Sequence, residues 1–394
     1  MPKLWFIDYA VMGLHLLLMV GIGLFFFRYV KSANDFFKSS NRLPWWVAGL
    51  SCFMSNFSAW TFTGGAGKIY DNGISGAAIL WGSSVAMLLS YFIFAKLWRR
   101  SRVMTIMQFM SERYNFFTHQ FYSWIYVIMK WFIVGLQLLS TAIFISVAIG
   151  VDVRIIVVVA GLTMLSYSVL SGLWGVSTND TLQFIIVASA TIVAAPLSMK
   201  TVGGIGEFIR SVPVGFFSVG YGETNTFFII GWMLLMFYGN NSNATVQRYF
   251  SVKDENAAKK VALTAALLYF VGVAIWMIPS MSARALYPDL SDVAIGLKNP
   301  SEAAFVVMCI KVLPHGLIGL LLAAIFAATM SSLDSSYNVM GAVLVEDVYH
   351  KIINPNASPR QLMLVSRITI ILIGISATCL ALFLTTHKGG VFGV

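Results

Sequence analysis

The sequence predicts an all-α polytopic membrane protein, and its composition and residue order support this class. Of its 394 residues, 58% are hydrophobic and only 11% are charged, and the mean hydropathy is +0.80. Apolar runs long enough to cross a bilayer as helices recur along the chain. Lys and Arg are concentrated in short segments between these runs, a pattern that orients membrane helices. The net charge of +10 therefore reflects membrane topology, and nucleic acid is not an expected partner.

Windows of about 19 predominantly apolar residues predict a series of membrane spans. In chain order they are Trp5–Phe27, Leu43–Tyr70, Gly73–Ala95, Phe121–Gly150, Ile155–Ser171, Val176–Met199, Thr226–Gln247, Val261–Ala283, Leu313–Val345 and Ile368–Thr386. Most basic residues, Arg248 among them, fall in the loops on the side reached after the first span. Because basic residues resist translocation, this asymmetry predicts a multi-pass protein of the cell membrane with its N-terminus outside.

The second span carries polar residues that a purely lipid-embedded helix does not need. No charged residue occurs between Leu43 and Gly67, yet residues 51–67 include several hydroxyls, one asparagine and three glycines. Small polar residues and glycines at membrane depth predict an interrupted helix whose freed carbonyl groups face a cavity. We therefore expect this stretch to form half of a binding site.

The ninth span contains a cluster of serines beside an acidic residue. Ala328, Ser331, Ser332 and Ser335 are spaced i, i+3, i+4 and i+7, so a helix presents them on one face. Hydroxyl and carbonyl oxygens suit a small hard cation better than a soft metal. Alternatively, serines only allow close helix packing and bond to their own backbone. The neighbouring acid favours the cation site.

Two acidic residues interrupt otherwise apolar spans. Asp334 lies in an uncharged run from Val312 to Val345, where an ionised group costs several kcal/mol unless it is paired or hydrated. It is expected either to bind an ion or to face a water-filled inner vestibule. Asp180 lies between the apolar stretches 155–173 and 182–199. A cation site and a helix-start cap explain it equally well.

The seventh span ends in a second polar interruption. Asn240, Asn241 and Asn243 occur within four residues, directly after a glycine. Amides offer both donors and acceptors, which suits hydroxyl-bearing or zwitterionic solutes. They equally well bond neighbouring helices to one another. Elsewhere the chain shows no metalloprotease or nucleophile-elbow pattern, so an enzyme is not predicted.

Five motifs in these segments point together to one protein family. They are Ser55-Asn56-x-Ser58-Ala59 followed by Gly64-Gly65-x-Gly67, Ser177-Thr178-Asn179-Asp180-x-x-Gln183, Gln247-Arg248-Tyr249-Phe250, Met330-Ser331-Ser332-Leu333 and Glu346-Asp347-Val348-Tyr349. Together they resemble the sodium/solute symporter family, which includes sodium-coupled sugar, proline and sialic-acid symporters. The resemblance covers essentially the whole chain.

The resemblance implies a LeuT-like fold, in which one extra N-terminal helix precedes two inverted five-helix repeats. On that frame residues 1–394 form a single transporter domain. Residues 1–42 are the extra helix and its loop, 43–200 the first repeat and 224–394 an incomplete second repeat. Because the family usually continues for several more helices, the chain is expected to be C-terminally truncated.

The resemblance also implies a set of binding residues. The main sodium ion is expected at the carbonyls of Met54, Phe57 and Ala328 and the hydroxyls of Ser331 and Ser332. A second cation is expected at Asp180, Ser331 and Ser335. Asp334, where relatives carry a hydroxyl, is expected either to strengthen this site or to respond to protons. Solute contacts are expected from seven side chains, namely Asn56, Ser58, Trp60, Thr61, Tyr238, Asn240 and Asn241.

The predicted function is sodium-coupled symport of a small polar solute across a lipid bilayer by alternating access. Asn56 matches the residue of sugar symporters, so a sugar or polyol is the favoured solute. Trp60 and Thr61 depart from the pattern of one sugar symporter, which leaves an amino acid or organic acid as the alternative. A membrane sensory module related to symporters, and a channel-like or structural membrane protein, are competing classes.

Overall fold

The computed structural model describes residues 5–30, 32–103, 105–149, 151–222, 224–241, 244–291 and 299–385, and these residues form helices and no strands. Eight helical segments are long and apolar enough to span a bilayer. They are Phe6–Phe27, Ile74–Ser101, Phe116–Ile143, Val153–Leu170, Gly172–Thr201, Glu255–Leu286, Leu317–Ile353 and Pro359–Thr385. Each corresponds to one predicted span. The predicted ends at Gly150 and Thr386 lie outside the described residues.

The helices are numbered in chain order from α1 to α17. They are α1 Phe6–Phe27, α2 Ala33–Lys38, α3 Trp45–Met54, α4 Ala59–Phe62, α5 Gly64–Asn72, α6 Ile74–Leu89, α7 Ala95–Ser101, α8 Ile106–Arg113, α9 Phe116–Ile149, α10 Val153–Thr201, α11 Ile205–Ser211, α12 Thr226–Asn241, α13 Ala244–Ser251, α14 Glu255–Leu286, α15 Ala304–Val312, α16 Leu317–Ala342 and α17 Pro359–Thr385. A π-helical stretch, Ser90–Phe94, joins α6 to α7, and another, Val343–Ile353, extends α16.

The other two predicted spans contain shorter helices. The second span consists of α3, α4 and α5, with non-helical backbone at Ser58 and Thr63 between them. The seventh consists of α12, which ends at Asn241, and α13, which begins at Ala244, while residues 242–243 lie outside the described part. The predicted interruption of the second span is thus confirmed. In the second span the division falls at polar residues, where hydroxyls compete with helical hydrogen bonding.

The long helix α10 is two spans that meet at Gly172. Its backbone there has φ +51° and ψ −149°, a combination that L side chains rarely adopt. A Cβ at this position would also lie 2.6 Å from the carbonyl oxygen of Phe36. Gly172 therefore sets the boundary between the fifth and sixth spans, close to where the sequence predicts it.

Helix α16 lies at the centre of the protein. Its most apolar window is 89% buried inside the protein, against 17–44% for the other seven spanning segments. It packs most extensively against α10 and also contacts α1 and α9. The serine-bearing span is therefore enclosed by protein rather than by lipid.

Helix α1 is attached to the start of α16 by a carboxylate that the sequence analysis did not single out. The backbone N–H groups of Gly316 and Gly319 each donate to Asp8 Oδ1 at 2.8 Å, and Asp8 is fully buried. A negative charge at a helix N-terminus is stabilised by the unpaired N–H groups and the helix dipole. The extra first helix thus supports the central helix.

Candidate functional site

The break in the second span exposes backbone groups beside α16. Helix α3 ends at Met54, and a turn follows in which the N–H of Phe57 donates to the Met54 carbonyl at 3.0 Å. Helix α4 begins only at Ala59. The carbonyls of the intervening residues lack the partners that a continuous helix would supply.

Two hydrogen bonds hold this break against α16. The hydroxyls of Ser55 and Ser335 are 3.0 Å apart, and the N–H of Ala59 donates to Thr329 Oγ1 at 2.9 Å. The two bonds set residues 55–59 alongside residues 329–335 of α16, so Phe57 lies beside the stretch that holds Ser331 and Ser332, and Met54 directly precedes the first bond. The structure thus brings the two halves of the predicted main cation site together.

The two serines of this segment differ in their surroundings. Ser331 Oγ donates to Asp180 Oδ1 at 2.6 Å. Ser332 Oγ accepts from Gln137 Nε2 at 3.5 Å. Gln137 Oε1 is buried and has no hydrogen-bond partner within the described part of the chain. A buried acceptor without a donor is costly. Next to Ser332, it fits the oxygen chemistry of a small hard cation.

Arg248 is the main residue that the sequence analysis placed wrongly. It was expected in an inner loop, but its side chain has 0% exposure and lies among α3, α10 and α16. Its Nε donates to Ser51 Oγ at 2.9 Å, and its Nη2 donates to Ser335 Oγ at 2.6 Å and lies 3.3 Å from Asp180 Oδ2. The buried acid requires a positive partner, and Arg248 supplies it.

Asp180 lies inside the second half of α10, eight residues beyond the kink at Gly172, so the helix-start cap considered for it is wrong. Its carboxylate accepts from Ser51, Ser331 and Arg248, and all four side chains are buried. This arrangement joins α3, α10, α13 and α16. Asp180 is thus a structural junction as well as a candidate cation ligand.

Asp334 and Ser335 lie on either side of this junction. Asp334 is fully buried, and its Oδ1 accepts from Ser168 Oγ, on the first half of α10, at 2.8 Å. Ser335 contacts both Ser55 and Arg248. Because Asp334 is enclosed by protein, it does not face a water-filled inner vestibule, which was the alternative expectation.

The amides predicted to contact solute engage one another where the break of the second span meets the end of α12. Asn56 Nδ2 donates to Asn240 Oδ1 at 3.2 Å and to Thr245 Oγ1 at 2.8 Å. Asn240 Nδ2 in turn donates to the Met236 carbonyl at 2.8 Å. The structure thus brings Asn56 and Asn240 together, in the helix-to-helix bonding that the sequence left as an alternative.

The other residues predicted to contact solute lie at α4 or in α12. Asn241 is joined to the π-helical stretch after α6 through the Ser90 hydroxyl, which donates to Asn241 Oδ1 at 2.5 Å. Ser58 and Thr61 are half-buried. Tyr238 is 68% exposed, so among the described residues it lies at the surface of α12 rather than in the amide cluster.

Trp60 opens onto a cavity of about 290 Å³ between α5, α6 and α12. Its ring stacks on Trp232 with centroids 5.9 Å apart, and Trp232 stacks on Phe228. A second cavity of about 350 Å³ lies between the ends of α13 and α16 and the start of α8. The chain topology places these cavities at opposite ends of the molecule, on either side of the helix break.

Discontinuous helices that meet at a buried polar centre are the architecture of secondary transporters. The chain belongs to the sodium:solute symporter family, because the family's sequence model, described as "SSF: Sodium:solute symporter family", matches residues 36–394. The family resemblance inferred from the motifs is confirmed.

Individual sodium-coupled transporters are similar to this chain. Sodium/glucose cotransporter 1 of Oryctolagus cuniculus is 25% identical over 98% of this chain, which covers 64% of that protein. Sodium/myo-inositol cotransporter 2 of Homo sapiens is 28% identical over 93% of this chain and is covered to 59%. The sodium/sialic acid symporter SiaT of Proteus mirabilis is 24% identical over 96% of this chain and is covered to 78%. These relatives are transporters rather than enzymes, as predicted.

A solved structure shares the fold. A Na⁺-coupled sialic acid symporter, solved in a substrate-bound outward-open state, matches 98% of this chain and 83% of its own with a TM-score of 0.87 and 23% sequence identity. At this identity the likeness shows the fold alone. The LeuT-like class is confirmed, and the protein is a multi-pass membrane protein. The limits of the two repeats stay a prediction.

Proposed function

We propose that the chain is a sodium-coupled symporter that imports a small polar solute by alternating access. The observation that carries this proposal is the bracketing of the helix break by Ser55–Ser335 and Ala59–Thr329, which sets backbone carbonyls opposite serine hydroxyls. Such a surface of neutral oxygens suits Na⁺ and offers no thiolate or imidazole to a softer metal. Family membership supports the coupling ion.

In this proposal sodium binds between the carbonyls of Met54, Phe57 and Ala328 and the hydroxyls of Ser331 and Ser332. Met54, Phe57 and Ala328 are at most 1% exposed, so bound sodium would be shielded from water. Gln137 Oε1, the unpaired acceptor beside Ser332, would gain a positive neighbour. Sodium would thereby order the break and favour the conformation that accepts solute.

Solute would bind where the break of the second span meets the end of α12. Asn56 and Asn240 supply amide donors and acceptors, and Trp60, four residues after Asn56, supplies an aromatic face. Ser58, Thr61, Asn241 and Tyr238 complete the proposed set. A few polar groups beside aromatic walls are typical of small-molecule sites. Hydroxyl-bearing solutes match paired amides, so a sugar or polyol is favoured.

The two cavities support alternating access. One lies between Trp60 and the start of α6, and the other lies beside Gln247 of α13, toward the opposite end of the molecule. Transfer of one positive charge across 100 mV releases about 2.3 kcal/mol, which is close to fiftyfold accumulation of solute. One sodium ion is therefore an adequate driving force.

We also propose a location in the cell membrane with the N-terminus outside. The basic residues Arg99, Arg100 and Lys253 cluster near the start of α14, and Arg100 pairs with Glu255 at 2.8 Å. Basic clusters of this kind remain on the inner side. Labelling of single cysteines introduced at Arg113 and Arg210 in intact cells tests this orientation, since only the second is expected to react with an impermeant reagent.

Uptake into proteoliposomes tests the function. The purified chain is reconstituted, an inward sodium gradient is imposed, and accumulation is measured for sugars, polyols, amino acids and organic acids. We expect accumulation of a sugar or polyol that collapses when potassium replaces sodium. Selective accumulation of an amino acid or organic acid would contradict the solute class alone. Absence of sodium-driven uptake of every solute would contradict symport.

A further inference from the structure

The short helix α2, between the first span and α3, lies across the cavity beside Gln247. Gln247 lines this cavity, and its Nε2 donates to the Phe37 carbonyl at 2.9 Å. Lys38 Nζ lies 5.7 Å from the centre of the Phe250 ring, which lines the same cavity, and donates to the Val103 carbonyl at 2.9 Å. Helix α2 therefore bridges the end of α13 and the segment that leads into α8.

The side chains of α2 are packed into the protein. Phe36 and Phe37 are both 0% exposed. The Phe36 carbonyl oxygen fits against the kink at Gly172, where a Cβ would lie 2.6 Å from it, and the Phe37 ring lies against Gly341 of α16. Because α2 contacts α10, α13, α16 and α17, it joins four helices at one end of the molecule.

The turn that follows α2 is strained. Ser39, Ser40 and Asn41 have φ values of 51°, 50° and 57°, so three consecutive non-glycine residues are left-handed. Such residues normally occur singly, because each of them costs free energy. Asp35 holds this turn by accepting from Ser40, and it also accepts from Ser32, at the start of α2, at 2.9 Å. Strain of this kind persists only where surrounding contacts impose it, and it is common in switch regions.

We propose that α2 and its left-handed turn form a plug that closes the inner end of the transporter and moves away when that end opens. This inference rests on the proposed alternating access and adds the segment that gates its inner side. Burial of the two phenylalanines and the bonds of Gln247 and Lys38 favour the closed position, whereas the strained turn opposes it. Because these contributions partly cancel, a modest change in either should shift the population of the open state.

Two substitutions should shift this population in opposite directions. The Ser39 hydroxyl is buried and has no hydrogen-bond partner within the described residues, so Ser39→Gly relieves strain without breaking a bond of that side chain. Since glycine adopts positive φ readily, this variant should favour the closed state about tenfold. Phe37→Ala should favour the open state, because it removes the ring against Gly341 and keeps the carbonyl that accepts from Gln247.

Labelling of a cysteine inside the cavity tests the plug. Ala342 lines the cavity and is 3% exposed, so Ala342→Cys is introduced in a parent chain whose three native cysteines are replaced by alanine. The rate at which a water-soluble maleimide labels the purified protein then reports the open state. In potassium we expect Ser39→Gly to react about tenfold more slowly than the parent and Phe37→Ala about tenfold faster. Ser211→Gly, exposed at the end of α11, is the matched control and should react at the parent rate.

Sodium distinguishes a gate from a loosely packed segment. Because sodium would favour the conformation that accepts solute from outside, it should slow labelling of the parent, whereas Lys253→Cys, at a 79% exposed side chain, should react equally fast in both salts. A Ser39→Gly chain that reacts at the parent rate would overturn the inference, even if Phe37→Ala fails to fold. Sodium binding without any slowing of the parent would do the same. A parent chain that binds no ²²Na⁺ would instead contradict the proposed function, and the rates in potassium would still test the plug.

Discussion

The backbone N–H of Ala59 donates to the hydroxyl of Thr329 at 2.9 Å, and this bond joins the divided second span to the central helix α16. The Thr141 hydroxyl on α9 donates to the same Thr329 oxygen at 2.9 Å. Three helical segments thus meet at one side chain. The bond supplies a partner to an N–H at the start of α4 that has no intrahelical acceptor.

Thr329→Val keeps the shape of the side chain and removes this acceptor. A buried N–H without a partner costs about 1–3 kcal/mol, so we expect the half-saturating sodium concentration to rise about tenfold. Sodium activation of uptake measures this. Thr201→Val, at an exposed position at the end of α10, is the control and should leave the curve unchanged. An unchanged curve for Thr329→Val would show that this bond does not hold the site.

Asn56 and Asn240 are expected to act together on the solute. Asn240→Ala should raise the solute KM about tenfold through the loss of a polar contact and of its bond to Asn56, while sodium binding measured without solute stays unchanged. Because the two amides are directly bonded, substitution of both Asn56 and Asn240 should raise the solute KM by less than the product of the two single effects. Additive effects on KM would contradict a shared solute site.

A buried contact between a histidine and an aspartate holds the end of the protein that bears α8. His119 Nε2 lies 2.8 Å from Asp347 Oδ1, both side chains are fully buried, and the Thr105 hydroxyl donates to the other Asp347 oxygen at 2.6 Å. Removal of one partner of a buried pair leaves an uncompensated charge. Lys351, 3.5 Å from Asp347 Oδ1, compensates part of that loss.

His119→Ala is therefore expected to destabilise the protein by about 3 kcal/mol, near the lower end for broken buried pairs. Thermal unfolding of the purified protein measures this as a fall in melting temperature. His350→Ala is the matched control, because His350 pairs with Glu346 four residues away and is 36% exposed. A pair of that kind contributes little. Equal losses in both variants would contradict the importance of burial.

Gly172 provides a test of the fold itself. Its positive φ and the nearby Phe36 carbonyl oxygen leave no room for a Cβ, so Gly172→Ala should lower stability by about 1–3 kcal/mol or more. Gly231→Ala is expected to have the opposite effect on stability. That glycine lies inside α12 with open space around its Cβ position, so the substitution should stabilise by about 0.5–1 kcal/mol. Melting temperatures that fall equally would contradict this assignment.

The sequence predicts much of the fold because it is encoded locally. Apolar runs give the spans, and the polar residues at 51–67 predict the break that separates α3 from α4. The helical spacing of Ser331, Ser332 and Ser335 predicts one buried face on α16, and the structure buries all three. Periodicity along one helix is sufficient for these inferences.

The position of Arg248 depends on partners that are distant in sequence. Asp180 precedes it by 68 residues and Ser335 follows it by 87, so no local pattern reveals the junction. A signal was nevertheless present. Asp180 and Asp334 place two acids in apolar spans, and buried acids require a positive partner. Arg248 directly follows the predicted end of the seventh span at Gln247, so it was one of the cations near enough to the spans to be that partner.

Sodium binding to Ser332→Ala tests the central claim most directly. The wild-type protein, Ser332→Ala and the exposed control Ser189→Ala are compared by ²²Na⁺ binding without solute. Loss of one hydroxyl ligand should weaken sodium binding about tenfold, with the melting temperature in potassium unchanged. A Ser332→Ala binding curve that coincides with those of wild type and Ser189→Ala would contradict the placement of sodium between the helix break and α16.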